Sequence, residues 1–183
     1  TRTKAKILAV EIQERLADMA ERSIELNDLT QQMQVIQDDL KNLGRYITGS
    51  KVDMILCNPP YFKVDKQSNL NESQHYLLAR HEISTNLEEI CKIAQRVLKS
   101  NGRLAMVHRP ERFLDILDTM QAHNLAPKRI QFVYPKLGKE ANMLLIEAIK
   151  DGSRDGLKIL PPLFIHNQDG SYTPEIHEIY YGK

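Results

Sequence analysis

At 183 residues, 42% hydrophobic and 27% charged, the chain holds enough apolar surface for one full core and is marginal for two. A formal net charge of +1 excludes a protein held to nucleic acid or membrane by a global field, while leaving local basic patches open. The longest apolar runs, such as MLLIEAI (143–149), are too short to span a bilayer, and the start carries no signal-peptide pattern. Two cysteines, Cys57 and Cys91, lack zinc or CxxC spacing and the histidines are scattered singly, which points to a reducing cytoplasm and no metal.

The chain opens TRTKAKILAVEI, with no Met and almost no lead-in before a strand, and reads as a fragment of a longer protein. KILAVEI (6–12) is an apolar run ending in an acid, predicted as a buried strand. A helix follows over 13–28, with Leu16, Met19, Ala20, Ile24 and Leu26 at roughly helical spacing. MQVIQDDL (33–40) is a second strand, ending in Asp38 and Asp39, and a polar connection leads to a third buried strand, VDMILCN (52–58). Residues 63–76 are polar and aperiodic. They are predicted as a loop, either a lid ordered by substrate or a plain connection. A short helical turn is expected over 77–82. Ser84 or Thr85 then caps a helix running to about Lys99, where Ser100-Asn101-Gly102 stops it.

RLAMVHR (103–109) is a fourth strand, and residues 110–124 form a helix with proline in its first turn. KRIQFVYP (128–135) and ANMLLIEAIK (141–150) close the sheet, and their short connection requires an antiparallel pair. The tail is expected as short extended segments around a turn at Asp169-Gly170. Alternating strands and helices predict an α/β fold, mostly parallel with an antiparallel last strand. Residues 1–150 form the domain and 151–183 an extension packing on it.

In open α/β sheets, ligands bind beyond the carboxyl ends of the strands. The predicted strands end in Glu11, in Asp38-Asp39-Leu40, in Asn58-Pro59-Pro60-Tyr61 and in His108-Arg109-Pro110. Glu11 suits both hydroxyls of a ribose, or is an ordinary strand-end acid. Asp39 with the Leu40 backbone suits an adenine edge, or is a turn or capping acid. Asn-Pro-Pro-Tyr is more particular. Two prolines donate no N–H and fix φ, so the preceding amide and the carbonyls stand in a stiff arrangement. The Asn58 side-chain oxygen and a carbonyl held by the prolines are two acceptors that can grip both hydrogens of one planar amine. Gripping both tilts the amine and aims its lone pair, and Tyr61 offers a face for stacking. Arg80, His81, His108, Arg109 and Arg112 are candidates for phosphate or nucleotide contact, or for ordinary hydrogen bonding at loops and helix ends.

An acid after the first strand, Asp after the second and NPPY after the third resemble class I S-adenosylmethionine-dependent methyltransferases of the N6-adenine type. NPPYF (58–62), ARHE (79–82), HRPER (108–112), KEANMLLIEA (139–148) and DGSYTPE (169–175) extend the resemblance to the bacterial tRNA1(Val) adenine N6-methyltransferase family. The resemblance implies a Rossmann-like sheet and methyl transfer to an adenine N6 in RNA, with tRNA the expected partner and S-adenosylmethionine the cofactor. It implies that Glu11, with Ile12 beside it, binds the donor's ribose and that Asp38, Asp39 and Leu40 bind its adenine. Asn58, Pro59, Pro60 and Tyr61 hold the target amine and base, and Phe62 walls the pocket. The first strand and glycine-rich loop that the family places under the donor's methionine are absent from this sequence. The chain as given is therefore expected to bind the donor poorly or to need a substitute strand, such as a partner chain. Methylation of a protein glutamine amide or of guanine N2 remains open, because both are planar amines. So does a non-catalytic RNA-binding or assembly module.

Overall fold

The computed structural model describes residues 3–47, 52–59 and 87–182. Contacts divide the chain into two compact units, Thr1–Ser50 and Lys51–Lys183. In the first, β1 (Ile7–Glu11) and β2 (Met33–Gln37) pair in parallel, from Ile7↔Met33 to Glu11↔Gln37. Between them runs α1 (Glu14–Leu26). Its buried stripe is Ala17 and Ile24, which pack with Val35, Ala9 and Ala20. Leu16, Met19 and Leu26, expected in this face, are exposed instead. Each residue turns a helix by about 100°, so a stripe through 17, 20 and 24 leaves 16, 19 and 26 outside it. A 3₁₀ helix, Leu40–Arg45, follows β2.

The second unit holds a six-stranded sheet. Its strands are β3 (Val52–Cys57), β4 (Leu98–His108), β5 (Leu125–Lys136), β6 (Met143–Lys150), β7 (Lys158–Ile159) and β8 (Leu163–His166). The order is β3-β4-β6-β5-β7, with β8 also on β5. β3 is parallel to β4, and β7 and β8 are parallel to β5. β6 is antiparallel to both β4 and β5, as the short connection required. β3, β4, β5, β7 and β8 therefore all run the same way, and their carboxyl ends share one edge.

On one face lie α2 (Leu87–Val97) and α3 (Phe113–Ala122), which pack on each other and on β4 and β5. Leu104, Ile130, Leu144, Ala94, Ile116 and Met120 are buried there. On the other face, Ile176 of α4 (Pro174–Tyr181) packs against Val133 and Leu163. β3 was expected to be buried on both faces, yet Leu56 is 76% exposed. Towards the end of the strand the period of two turns Ile55 and Cys57 inward, and both are half-buried, as Val52 is at its start. Leu56, Val107 and Leu145 line an apolar cavity of about 510 Å³ on the open side.

Three local expectations are corrected. α2 ends at Val97, and Ser100-Asn101-Gly102 lies within β4. Leu98 is fully buried and pairs with Val52, and burying it outweighs continuing the helix. The register then jumps to Met54↔Arg103 across an irregularity in which Asn101 takes φ 64°. A Cβ on Gly102 would meet the Lys99 carbonyl oxygen at 2.8 Å, so the tract needs its glycine. β5 starts at Leu125 rather than Lys128, because a register shift between Pro127 and Arg129 absorbs the missing proline N–H. The tail ends in a helix, α4, where extended chain was expected. Thr173 caps it by accepting from the Ile176 N–H, and Pro174 takes its first turn.

Candidate active site

In the first unit the in-register pair Glu11↔Gln37 sets two strand ends side by side, and the Asp38 N–H donates to the Glu11 carbonyl at 3.1 Å. Glu11, Ile12, Asp38, Asp39 and Leu40 thus converge on one edge. The half-buried Glu11 carboxylate accepts from the Gln13 N–H through Oε1 at 2.9 Å. Asp39 caps the 3₁₀ helix, its Oδ1 accepting from the Lys41 N–H at 2.9 Å. Asp38 builds the loop itself. Its Oδ1 accepts from the Asp39 N–H at 2.7 Å and from Asn42 Nδ2 at 2.8 Å, while Oδ2 accepts from the Tyr46 hydroxyl at 2.6 Å. The Tyr46 bond, then that from Asn42, holds its carboxyl below the usual carboxylate range.

In the second unit β3 ends at Cys57, paired with Met106, so Asn58 and Pro59 come level with Val107 and His108. Asn58 is exposed and Pro59 is buried behind it. The strand is anchored from inside. Burial pushes the Cys57 thiol up to about 11. Burial, and then the nearby Cys57, pushes Cys91 of α2 up to about 12. Both thiols stay protonated and serve as core.

His108 is only 3% exposed and its Nδ1 accepts from the Arg109 N–H at 2.8 Å. Burial, and then the charge on Arg112, lowers its pKa, so the ring is a neutral imidazole with its proton on Nε2. Arg109 Nη1 donates to the Asn142 carbonyl at 3.1 Å, and Arg112 Nε pairs with Asp115 Oδ2 at 2.6 Å. These local hydrogen bonds are compatible with either of the two roles open to these residues. Pro60, Tyr61, Phe62, Arg80 and His81 lie outside the described residues. Among the described residues, no three of His, Cys, Asp or Glu group as metal ligands.

One set at the same edge was missed in the sequence. Lys136 ends β5 and His166 ends β8, and the pairing Lys136↔His166 places them side by side. The only linear signal was a basic residue on either side of a turn at 136–139. The partner ring comes from a strand 30 residues on.

A family model described as an RMKL-like methyltransferase domain matches residues 1–136. A Porphyromonas gingivalis protein named tRNA1(Val) (adenine(37)-N6)-methyltransferase is 26% identical over 94% of this chain and 68% of its own length. One of the same name from Bacteroides fragilis is 26% identical over 98% of this chain and 75% of its own. A crystal structure from Agrobacterium tumefaciens, described as a predicted O-methyltransferase, superposes with TM-score 0.73 at 22% identity. It covers 98% of this chain and 78% of that one, a likeness of fold. With the model spanning most of its length, this chain belongs to the family of RMKL-like methyltransferase domains.

Proposed function

We propose that this protein transfers a methyl group from S-adenosylmethionine to the exocyclic N6 amine of an adenine in tRNA. The observation that carries the reading is the strand end at Asn58–Pro59. There an exposed amide stands on a buried proline, at the carboxyl end of a parallel strand in a methyltransferase chain. The names of its relatives support adenine N6 as the target and tRNA as the substrate. A tRNA substrate supports the reading of a cytoplasmic protein.

The residues of the first unit suit the nucleoside half of the donor. Among the described residues the chain engages Glu11 through Oε1, which leaves Oε2 to accept from ribose hydroxyls. Asp39 holds its loop through Oδ1, and Oδ2 is the acceptor offered to an adenine amine beside the Leu40 backbone. Asp38, with both oxygens engaged, acts by shaping this loop.

S-adenosylmethionine, when bound, supplies a methyl group carried on a sulfonium sulfur. Asn58 Oδ1 and the Pro59 carbonyl each accept one hydrogen of the target amine, which turns its lone pair out of the plane of the base. Held so, the amine would present its lone pair to the methyl group that the bound donor would supply, and its surplus proton would pass to water. The amine becomes acidic only as the new bond forms, so Asn58 and Pro59 act by position and aimed dipoles rather than as bases. Tyr61 provides the stacking face for a base turned out of its helix.

The test is where label goes when the full-length protein meets methyl-labelled donor, total tRNA and cell protein. The expected product is N6-methyladenosine in tRNA, read by nucleoside mass spectrometry. Label in glutamine or in N2-methylguanosine, or none in tRNA, rejects the reading.

A further inference from the structure

We infer that the turn between β5 and β6, together with the tail loop after β8, forms a second RNA subsite. It would take a flanking nucleotide of the substrate, remote from the target adenine, and this rests on the RNA reading above. A cavity of about 750 Å³ lies here, lined by Pro135, Lys136, Lys139, Glu140, His166 and Gly170. It is an open surface groove rather than an enclosed pocket, which suits a nucleotide lying against the surface.

The cavity is built rather than incidental. His166 Nδ1 lies 3.3 Å from the Pro135 carbonyl, which only accepts, so Nδ1 carries the proton and the ring is fixed. Behind it Tyr172 stacks, with centroids 5.2 Å apart and planes at 21°. The loop that closes the far wall is pinned by Gln168 Nε2 donating to the Leu137 carbonyl at 3.2 Å, and by the Asn167 N–H donating to the Ser171 carbonyl at 2.9 Å. Gly170, at φ 89°, makes the tight turn with open space where a Cβ would stand. The result is an aromatic platform with two ammonium groups against one carboxylate. That is the chemistry of a stacked base and a phosphate. The platform continues outward, since Tyr172 meets Tyr180 edge-on at 5.6 Å and Tyr181 is 67% exposed.

The position fits as well. β5 and β8 run parallel to β3, so this cavity opens at the same carboxyl edge as Asn58. The order β3-β4-β6-β5-β8 separates them by four strand spacings, roughly 19 Å, which several nucleotides of a single strand span.

The experiment is fluorescence anisotropy of labelled tRNA with the full-length protein over a salt series, comparing wild type with Lys136→Gln/Lys139→Gln and with His166→Ala. The lysine pair is expected to weaken binding about tenfold and to reduce the slope of log affinity on log salt by about 1.4. His166→Ala is expected to weaken binding about tenfold without changing that slope. His166→Phe keeps a stacking ring, so it is expected to restore affinity, which separates a platform from a merely structural histidine. If wild type binds tRNA and all variants match it in affinity and slope, the subsite is rejected and the RNA reading stands. If wild type binds no tRNA, both fall.

Discussion

Asn58 and His108 stand at neighbouring strand ends and do opposite things. Asn58 is exposed on a buried proline, while His108 is sealed into the closed face. Burial and the Arg112 charge depress the His108 pKa, so the folded chain favours the neutral ring. That preference contributes its full stability above the ordinary value of 6.5 and is lost as pH falls through the depressed folded value. Urea unfolding midpoints are therefore expected to fall from about pH 7 to pH 5. His108→Asn keeps an acceptor for the Arg109 N–H without the titration, and its midpoint is expected to fall less. Equal pH dependence in both would assign the acid sensitivity elsewhere. Asp38 has the same sense in a lower window, since its depressed carboxyl adds stability above 3.8 that is lost below its folded value.

The elements are held at points that a linear sequence hides. Lys150, the last residue of β6, is only 6% exposed and reaches across to the C-terminus of α2. Its Nζ donates to the Gln95 carbonyl and, at 2.9 Å, to the Leu98 carbonyl. These carbonyls lie where a helix runs out of internal donors. Lys150→Met keeps the aliphatic stem and removes the donor, which is expected to cost about 1–3 kcal/mol in urea or calorimetric unfolding. A loss under about 0.5 kcal/mol would mean that water serves those carbonyls equally well.

The strands from Ile7 to Lys150 were legible because apolar runs of this length between polar breaks leave few alternatives. The antiparallel turn of β6 followed from a connection too short to cross over. The fold was misread where a tertiary contact outweighed a local signal. Leu98 left its helix for the core, and Pro127 entered a strand at a register shift. α4 was misread despite a local signal, since Thr173-Pro174-Glu175 is a helix start that the neighbouring Asp169-Gly170 turn obscured.

At the scale of the molecule, the chemistry follows strand direction. In each unit the parallel strands send their carboxyl ends to one edge. There lie Glu11 and Asp39 in the first, and Asn58, His108, Lys136 and His166 in the second. β6 contributes from the opposite sense, because running backwards it brings Asn142 to that edge, where Arg109 donates to its carbonyl. The candidate donor and amine sites were legible because a strand-end acid and Asn-Pro-Pro-Tyr are local words. The lysine–histidine cavity was not, because it exists only once β8 joins β5. The central claim is that Asn58 acts on the target amine by aiming it. The most direct measurement is the rate of N6-methyladenosine formation in tRNA by full-length wild type and Asn58→Ala, with tRNA affinity measured in parallel. A loss of about 100-fold or more in rate at unchanged affinity is expected, and a variant that methylates tRNA at the wild-type rate would contradict the account.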